Sequence, residues 1–214
     1  FRFFVDLDAV SHKPLSERDL ATVVTTLQRL IHETFGLRAP VLVTGAGPET
    51  VQGGIKVGRH LHCPTLAVGT DAAQRLRSEL VAALSLVGED DGPTSRKQKK
   101  KGKRKQKADS FVALDDQSID WGQAVDAAVY HASGATLRMF GSRKVKKDRD
   151  LGPERIHRLL AVFGGDGRFD AAAMARYEAD TVALLRDLSI RCSSEDGAAP
   201  AMGAALVRTR SAEE

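Results

Sequence analysis

The sequence contains only two cysteines in 214 residues, Cys63 and Cys192. Two thiols cannot build a disulfide framework, and alone they cannot supply a four-cysteine zinc site. A reducing, intracellular setting is the expectation. Aromatic residues are scarce, at 5% with a single Trp, which argues against a base-stacking platform such as the sheet face of RNA-recognition modules. No apolar run approaches the roughly 18 residues of a membrane span, and no signal peptide is visible. A large excess of one charge is also missing: 32 Lys+Arg stand against 28 Asp+Glu, a net of +4. Even that surplus is local. Residues 96–107, RKQKKKGKRKQK, carry nine Lys/Arg and no acid, which leaves 23 basic against 28 acidic residues elsewhere, a net of −5. A uniformly basic nucleic-acid-binding surface is excluded.

What is present is a chain with enough apolar matter, 42%, to bury a core. Its length suits one large domain or two small ones. It opens at Phe1 inside a strand-like pattern without a methionine, which points to an excised domain. Residues 1–8, FRFFVDLD, alternate: Phe1, Phe3, Val5 and Leu7 on one face, Phe4, Asp6 and Asp8 on the other. Ser16 with Asp19 three residues on reads as a helix cap, and Gly36 as the stop after an apolar stripe from Leu20 to Phe35. A strand at 40–44, a glycine-rich loop to Gly54, an extended segment at 55–68 and a second helix from Thr70 or Asp71 follow. Residues 88–109 break the pattern and read as a disordered insertion that holds the lysine run. Its functional readings are nuclear import or non-specific DNA tethering. Residues 119–130 begin helix-like and end extended, 136–141 reads as a strand, Pro153 opens a helix through Phe163, and 170–188 forms another. The core spans 1–190 and a flexible tail 191–214. Alternating strands and helices give an α/β or α+β domain.

Three groups of residues carry chemistry. Asp6 and Asp8, two apart on a strand, point the same way. Carboxylates that close repel each other, and a divalent cation such as Mg²⁺ or Mn²⁺ removes the penalty. A solvated edge strand is the bland alternative. Lys56, Gly58, His60 and His62 share one face of the extended segment, where Lys and His could embrace a phosphate and Gly58 lets it approach the backbone. The same segment reads equally as an ordinary polar strand face, or as an H-x-H zinc pair, which no obvious further His or Cys joins. Asp126, flanked by Val125 and small residues, looks partly buried and in need of a cation or metal. Arg138 sits mid-strand, and Lys144 lies six residues on. Asp126 and Arg138 could simply pair with each other.

Together these groups resemble the catalytic core of archaeo-eukaryotic primases. The resemblance is especially to the branch of primase-polymerases and the primases of herpesviruses and large nucleocytoplasmic DNA viruses. The first motif is Phe4-Val5-Asp6-Leu7-Asp8, the second Lys56-Val57-Gly58-Arg59-His60-Leu61, and the third Asp126-Ala127-Ala128-Val129-Tyr130 followed by Arg138 and Lys144. Gly58 stands where the family often has serine, so a hydroxyl contact to phosphate would be lost. The resemblance implies an RRM-like sheet with flanking helices. It implies two divalent ions, Mg²⁺ or Mn²⁺, held by Asp6, Asp8 and Asp126. It implies an incoming NTP or dNTP gripped by Lys56, Gly58, Arg59, His60, Arg138 and Lys144. The expected partner is a single-stranded DNA template, with Arg143 to Lys147 as one candidate wall of its groove, and the expected place of work is a nucleus or viral replication site. A helicase often follows in viral relatives and would lie outside this chain, as would any zinc module. The competing functions are a metal-dependent nuclease and a non-catalytic DNA-binding replisome module.

Overall fold

Alternation at the N-terminus produces β1, Arg2–Ser11, with every second side chain buried against the helices. The computed structural model describes residues 1–87, 119–130, 140–142, 145–146, 149–150 and 156–191. Helix α1, Glu17–Phe35, starts where the capping pattern places it. The Ser16 side chain accepts from the Asp19 N–H while the Asp19 carboxylate accepts from the Ser16 N–H, and Gly36 closes the helix at φ 70°. That left-handed conformation suits a residue without Cβ. Strands β2 (Val41–Gly45), β3 (Glu49–Val51) and β4 (Gly54–Ala67) follow, then α2 (Thr70–Val87) and α3 (Trp121–Ala124). A 3-10 turn spans Ala128–Tyr130. A small ribbon pairs β5 (Val145–Lys146) with β6 (Arg149–Asp150). The described chain ends with β7 (Arg158–Phe163), α4 (Ala171–Ala179) and α5 (Thr181–Leu188).

The main sheet is antiparallel, in the order β1-β4-β2-β7, with β3 pairing β4. The chain is therefore a mixed α and β fold of the α+β kind. One sheet face carries Phe3, Val5, Leu7, Val43, Leu61 and Cys63, packed against Val23, Leu27 and Ile31 of α1 and Leu76, Leu80 and Leu84 of α2. Each such side chain, fully buried, contributes about 1.5–3 kcal/mol. The opposite face is divided. At the β7 end Leu42 and Val162 pack under Ala173, Tyr177 and Leu184 of α4 and α5. At the β1 end the same face carries Asp6, Asp8 and the polar residues of β4. Pro64 interrupts β4 where the pairing with β1 slips, Arg2 facing Ala67 and Phe4 facing His62. A residue without an N–H is tolerated at such a bulge.

Several boundaries differ from the sequence expectations. The loop before Gly54 contains β3. Residues 119–130 end in a 3-10 turn, with only Val125 bridging to a strand. Of the helix expected from Pro153 through Phe163, 153–155 lie outside the described residues, and the rest is β7 from Arg158 onward, because Leu159, Val162 and Phe163 pair with the buried β2 ladder. Tertiary pairing overrides a helical start signal there. The single helix expected at 170–188 is two helices. Asp180 ends α4 and its carboxylate caps α5 by accepting from the Ala183 N–H. In the segment expected as a strand at 136–141, Phe140 and Gly141 form a turn, and 131–139 lie outside the described residues. So do 88–118 and 192–214, which include the basic run, Cys192 and the expected tail.

Candidate functional site

Register decides which side chains meet. β1 and β4 pair Asp6 with His60, Asp8 with Gly58 and Val10 with Lys56. Directly opposed residues share a face, so both carboxylates and the polar residues of β4 stand together. The His60 Nε2 lies 3.6 Å from an Asp6 carboxylate oxygen. The Lys56 ammonium reaches diagonally to Asp8, with Nζ to Oδ2 at 2.6 Å. A Cβ added at Gly58 would lie 2.9 Å from the Asp8 Oδ1. Glycine thus leaves the room that the Asp8 carboxylate occupies, and a serine there would require that carboxylate to move.

Asp126 arrives from the open edge of β1. Val125 bridges to Leu7, and the Asp126 N–H donates to the Asp6 carbonyl at 2.9 Å. Val125 and Leu7 are both fully buried, so the alternation turns Asp126 to the Asp6 side. Two anchors fix this segment. Arg77 of α2 donates to the carbonyls of Val125 and Gly122, each at 2.8 Å. The Tyr130 hydroxyl donates to the Phe4 carbonyl, and its ring stacks on Phe3. Burial pushes the Tyr130 phenol well above its ordinary range, so it remains a donor. The Asp126 Oδ1 accepts from the Ala128 N–H at 2.8 Å.

The donor chemistry of Asp6, Asp8 and Asp126 fits a hard divalent cation, since all three are carboxylates on one face at one sheet edge. As placed, each has a protein partner. Among the described residues no group of three or more His, Cys, Asp or Glu is arranged to hold a metal ion. Arg59 stands apart from the other residues expected to grip a nucleotide. It faces Leu7 and Gly45 across the ladders, and its guanidinium donates to the carbonyls of Ala46 at 2.7 Å and Gly58 at 2.8 Å. That ties it to the backbone at the end of β2. Arg138, Arg143, Lys144 and Lys147 lie outside the described residues, so the suggested Asp126–Arg138 pair does too.

The fold adds two residues that the sequence reading passed over, Thr44 and His157. Thr44 lies opposite His60 on β2. Its hydroxyl is 2.7 Å from the His157 Nε2 and 3.3 Å from the His62 Nε2. The His157 ring lies 4.4 Å from the His60 ring. All four residues are buried. No spacing signal could have found His157, which lies 95 residues after His62 in a segment that reads as helix. The third histidine does not complete a zinc site with the H-x-H pair. Cys63 is no candidate ligand either: it faces the helices, and burial pushes its thiol up to about 12.

Burial, and then the neighbouring His60 and His157, lower His62 to about 3. The ring stays neutral in the native state but takes a proton near its ordinary 6.5 when unfolded. Stability is therefore unaffected above pH 6.5 and falls as pH drops from 6.5 toward 3, at up to about 1.4 kcal/mol per unit. Melting temperature measured across this window should fall with pH, and His62→Phe should remove most of that slope.

Comparison with family models, curated proteins and solved structures finds no match. No helix among the described residues is long and apolar enough to cross a membrane.

Proposed function

We propose that this chain is the catalytic domain of a DNA primase-polymerase, a nucleotidyltransferase that extends or initiates a strand on single-stranded DNA. The observation that carries the reading is the pairing of Asp6 with His60 and of Asp8 with Lys56 across two neighbouring strands. Carboxylates stand there beside a lysine and a histidine on one sheet face. A triphosphate with its divalent counter-ions presents the complementary pattern.

In the reaction a 3′-hydroxyl attacks the α-phosphorus of an NTP or dNTP and pyrophosphate leaves. Asp6, Asp8 and Asp126 would hold Mg²⁺ or Mn²⁺, which supplies charge neutralisation at the attacking and leaving oxygens. Lys56 offers positive charge, and Lys56 and His60 offer hydrogen-bond donors, to the phosphates. Gly58 lies between Lys56 and His60 and leaves the room that the Asp8 carboxylate occupies. Tyr130 and Arg77 keep Asp126 at the edge of β1. The protein's contribution is positioning and electrostatics rather than covalent chemistry.

Two measurements test this. Primer synthesis on a single-stranded template, with ribo- and deoxynucleotides and with Mg²⁺ or Mn²⁺, should give product. Degradation of labelled DNA without nucleotides would instead identify a nuclease, and triphosphate binding without either activity a replisome module. His60→Ala should weaken Mn²⁺-triphosphate binding by about tenfold or more, the worth of a charge-assisted hydrogen bond, and leave template affinity nearly unchanged. Equal losses in both titrations would count against a triphosphate contact at His60.

A further inference from the structure

We propose that Thr44 and His157 are positioning residues that set the orientation of the His60 ring, with His62 as the third member of their hydrogen-bonded chain. The proposal rests on reading His60 as a triphosphate contact, but its physical basis is separate. Three imidazoles and a hydroxyl are buried together on the sheet face between the Asp6–Asp8 pair and the apolar patch under α4 and α5. Buried polar groups are costly unless they bond to one another. An apolar patch of the same volume would pack without that cost, and Leu42 and Val162 beside it show that this face accepts one.

The chain can run in either of two directions. Thr44 owns a single hydroxyl hydrogen, and both of its ring partners meet it through Nε2. If His157 donates to Thr44, the hydroxyl is free to donate to His62, which then carries its proton on Nδ1. If the direction reverses, the tautomers exchange. With both rings neutral, one hydroxyl hydrogen can serve only one of them as acceptor, so at least one ring donates from Nε2, and both do so only where the hydroxyl hydrogen turns elsewhere.

His157 is itself fixed by backbone. Its N–H donates to the Ser142 carbonyl at 3.0 Å, and its carbonyl accepts from the Gly141 N–H at 2.8 Å. These bonds clamp the entry to β7 against the 140–142 turn, and the hydroxyl of Thr44 then fixes the ring. The His157 ring in turn packs on His60 at 4.4 Å with a 41° tilt. On its other side His60 faces the Asp6 carboxylate. His60 can therefore present Nε2 to the carboxylate edge only while His157 holds its back. Support of this kind decides whether a functional ring is held tightly enough to act.

The test uses the full chain labelled with ¹⁵N at histidine. Long-range ring correlations report each tautomer, and titrations follow dATP with Mn²⁺ and a single-stranded oligonucleotide in parallel. Wild type and Thr44→Ser should show at least one of His62 and His157 as the Nε2–H tautomer. Thr44→Val should change that tautomer pattern, move the His60 ring signals and weaken dATP binding about tenfold, with oligonucleotide affinity unchanged. His157→Phe keeps a ring against His60 but loses the bond to Thr44, and carries the same comparison should Thr44→Val fail to fold. If His60 signals and dATP affinity are unmoved in the folded variants while His60→Ala still loses dATP, the positioning role is overturned and the primase reading stands. If wild type binds no dATP, the primase reading fails. The His60 signals then decide alone: movement on Thr44→Val or His157→Phe supports the positioning role, and its absence overturns it.

Discussion

Asp6→Asn and Asp8→Asn should each lower primer synthesis by at least about a hundredfold, since metal-assisted charge stabilisation is worth several kcal/mol. The fold should survive both changes. The two side chains are 20% and 42% exposed, and Lys56, the partner of Asp8, reaches solvent as well. Amides of the same shape keep the hydrogen-bonding geometry but lose the charge that attracts a cation. Melting temperature should therefore shift little while Mn²⁺ affinity falls. The decisive comparison is synthesis rate against Mn²⁺ binding for each variant. Full activity in either one, in Mg²⁺ and Mn²⁺ alike, would falsify the assignment.

Lys56→Met separates two roles by sign. At present the Lys56 ammonium neutralises Asp8 at 2.6 Å. A cation entering between the carboxylates must displace it, so removing the lysine should tighten Mn²⁺ binding. The gain should be small, up to about fivefold, because partly exposed ion pairs are worth about 0–1 kcal/mol. Triphosphate binding should change in the opposite direction, by about tenfold or more, with loss of a charge-assisted contact. Calorimetric titration of Mn²⁺ alone and of dATP with Mn²⁺ reads both. A fall in both affinities would mean that Lys56 serves only to hold Asp8 in place.

The candidate site was legible in part. Period-two alternation placed Asp6 and Asp8 on one strand face and Lys56, Gly58, His60 and His62 on another, and β1 and β4 form with those faces. Local chemistry also placed α1, since a capping box and a terminal glycine act within a few residues. The misplaced elements differ in cause, a distant partner at β7 and a local cap at Asp180. β7 lies in a segment that begins with a helix signal, yet its apolar residues complete a ladder with β2. Asp180 splits the last helix because its carboxylate caps α5 more effectively than it serves a helix interior.

The amino-acid sequence by itself determined the helices with strong caps, the alternation of the strands, the two carboxylates of β1 and the polar face of β4. These follow from interactions between residues near one another in the chain. Only the tertiary structure decided the register that sets Asp6 against His60, the docking of Asp126 on the edge of β1 and the meeting of Thr44, His62 and His157. Cross-strand register is chosen by which faces can be buried together, and a hydrogen bond between residues 113 apart leaves no period in the sequence.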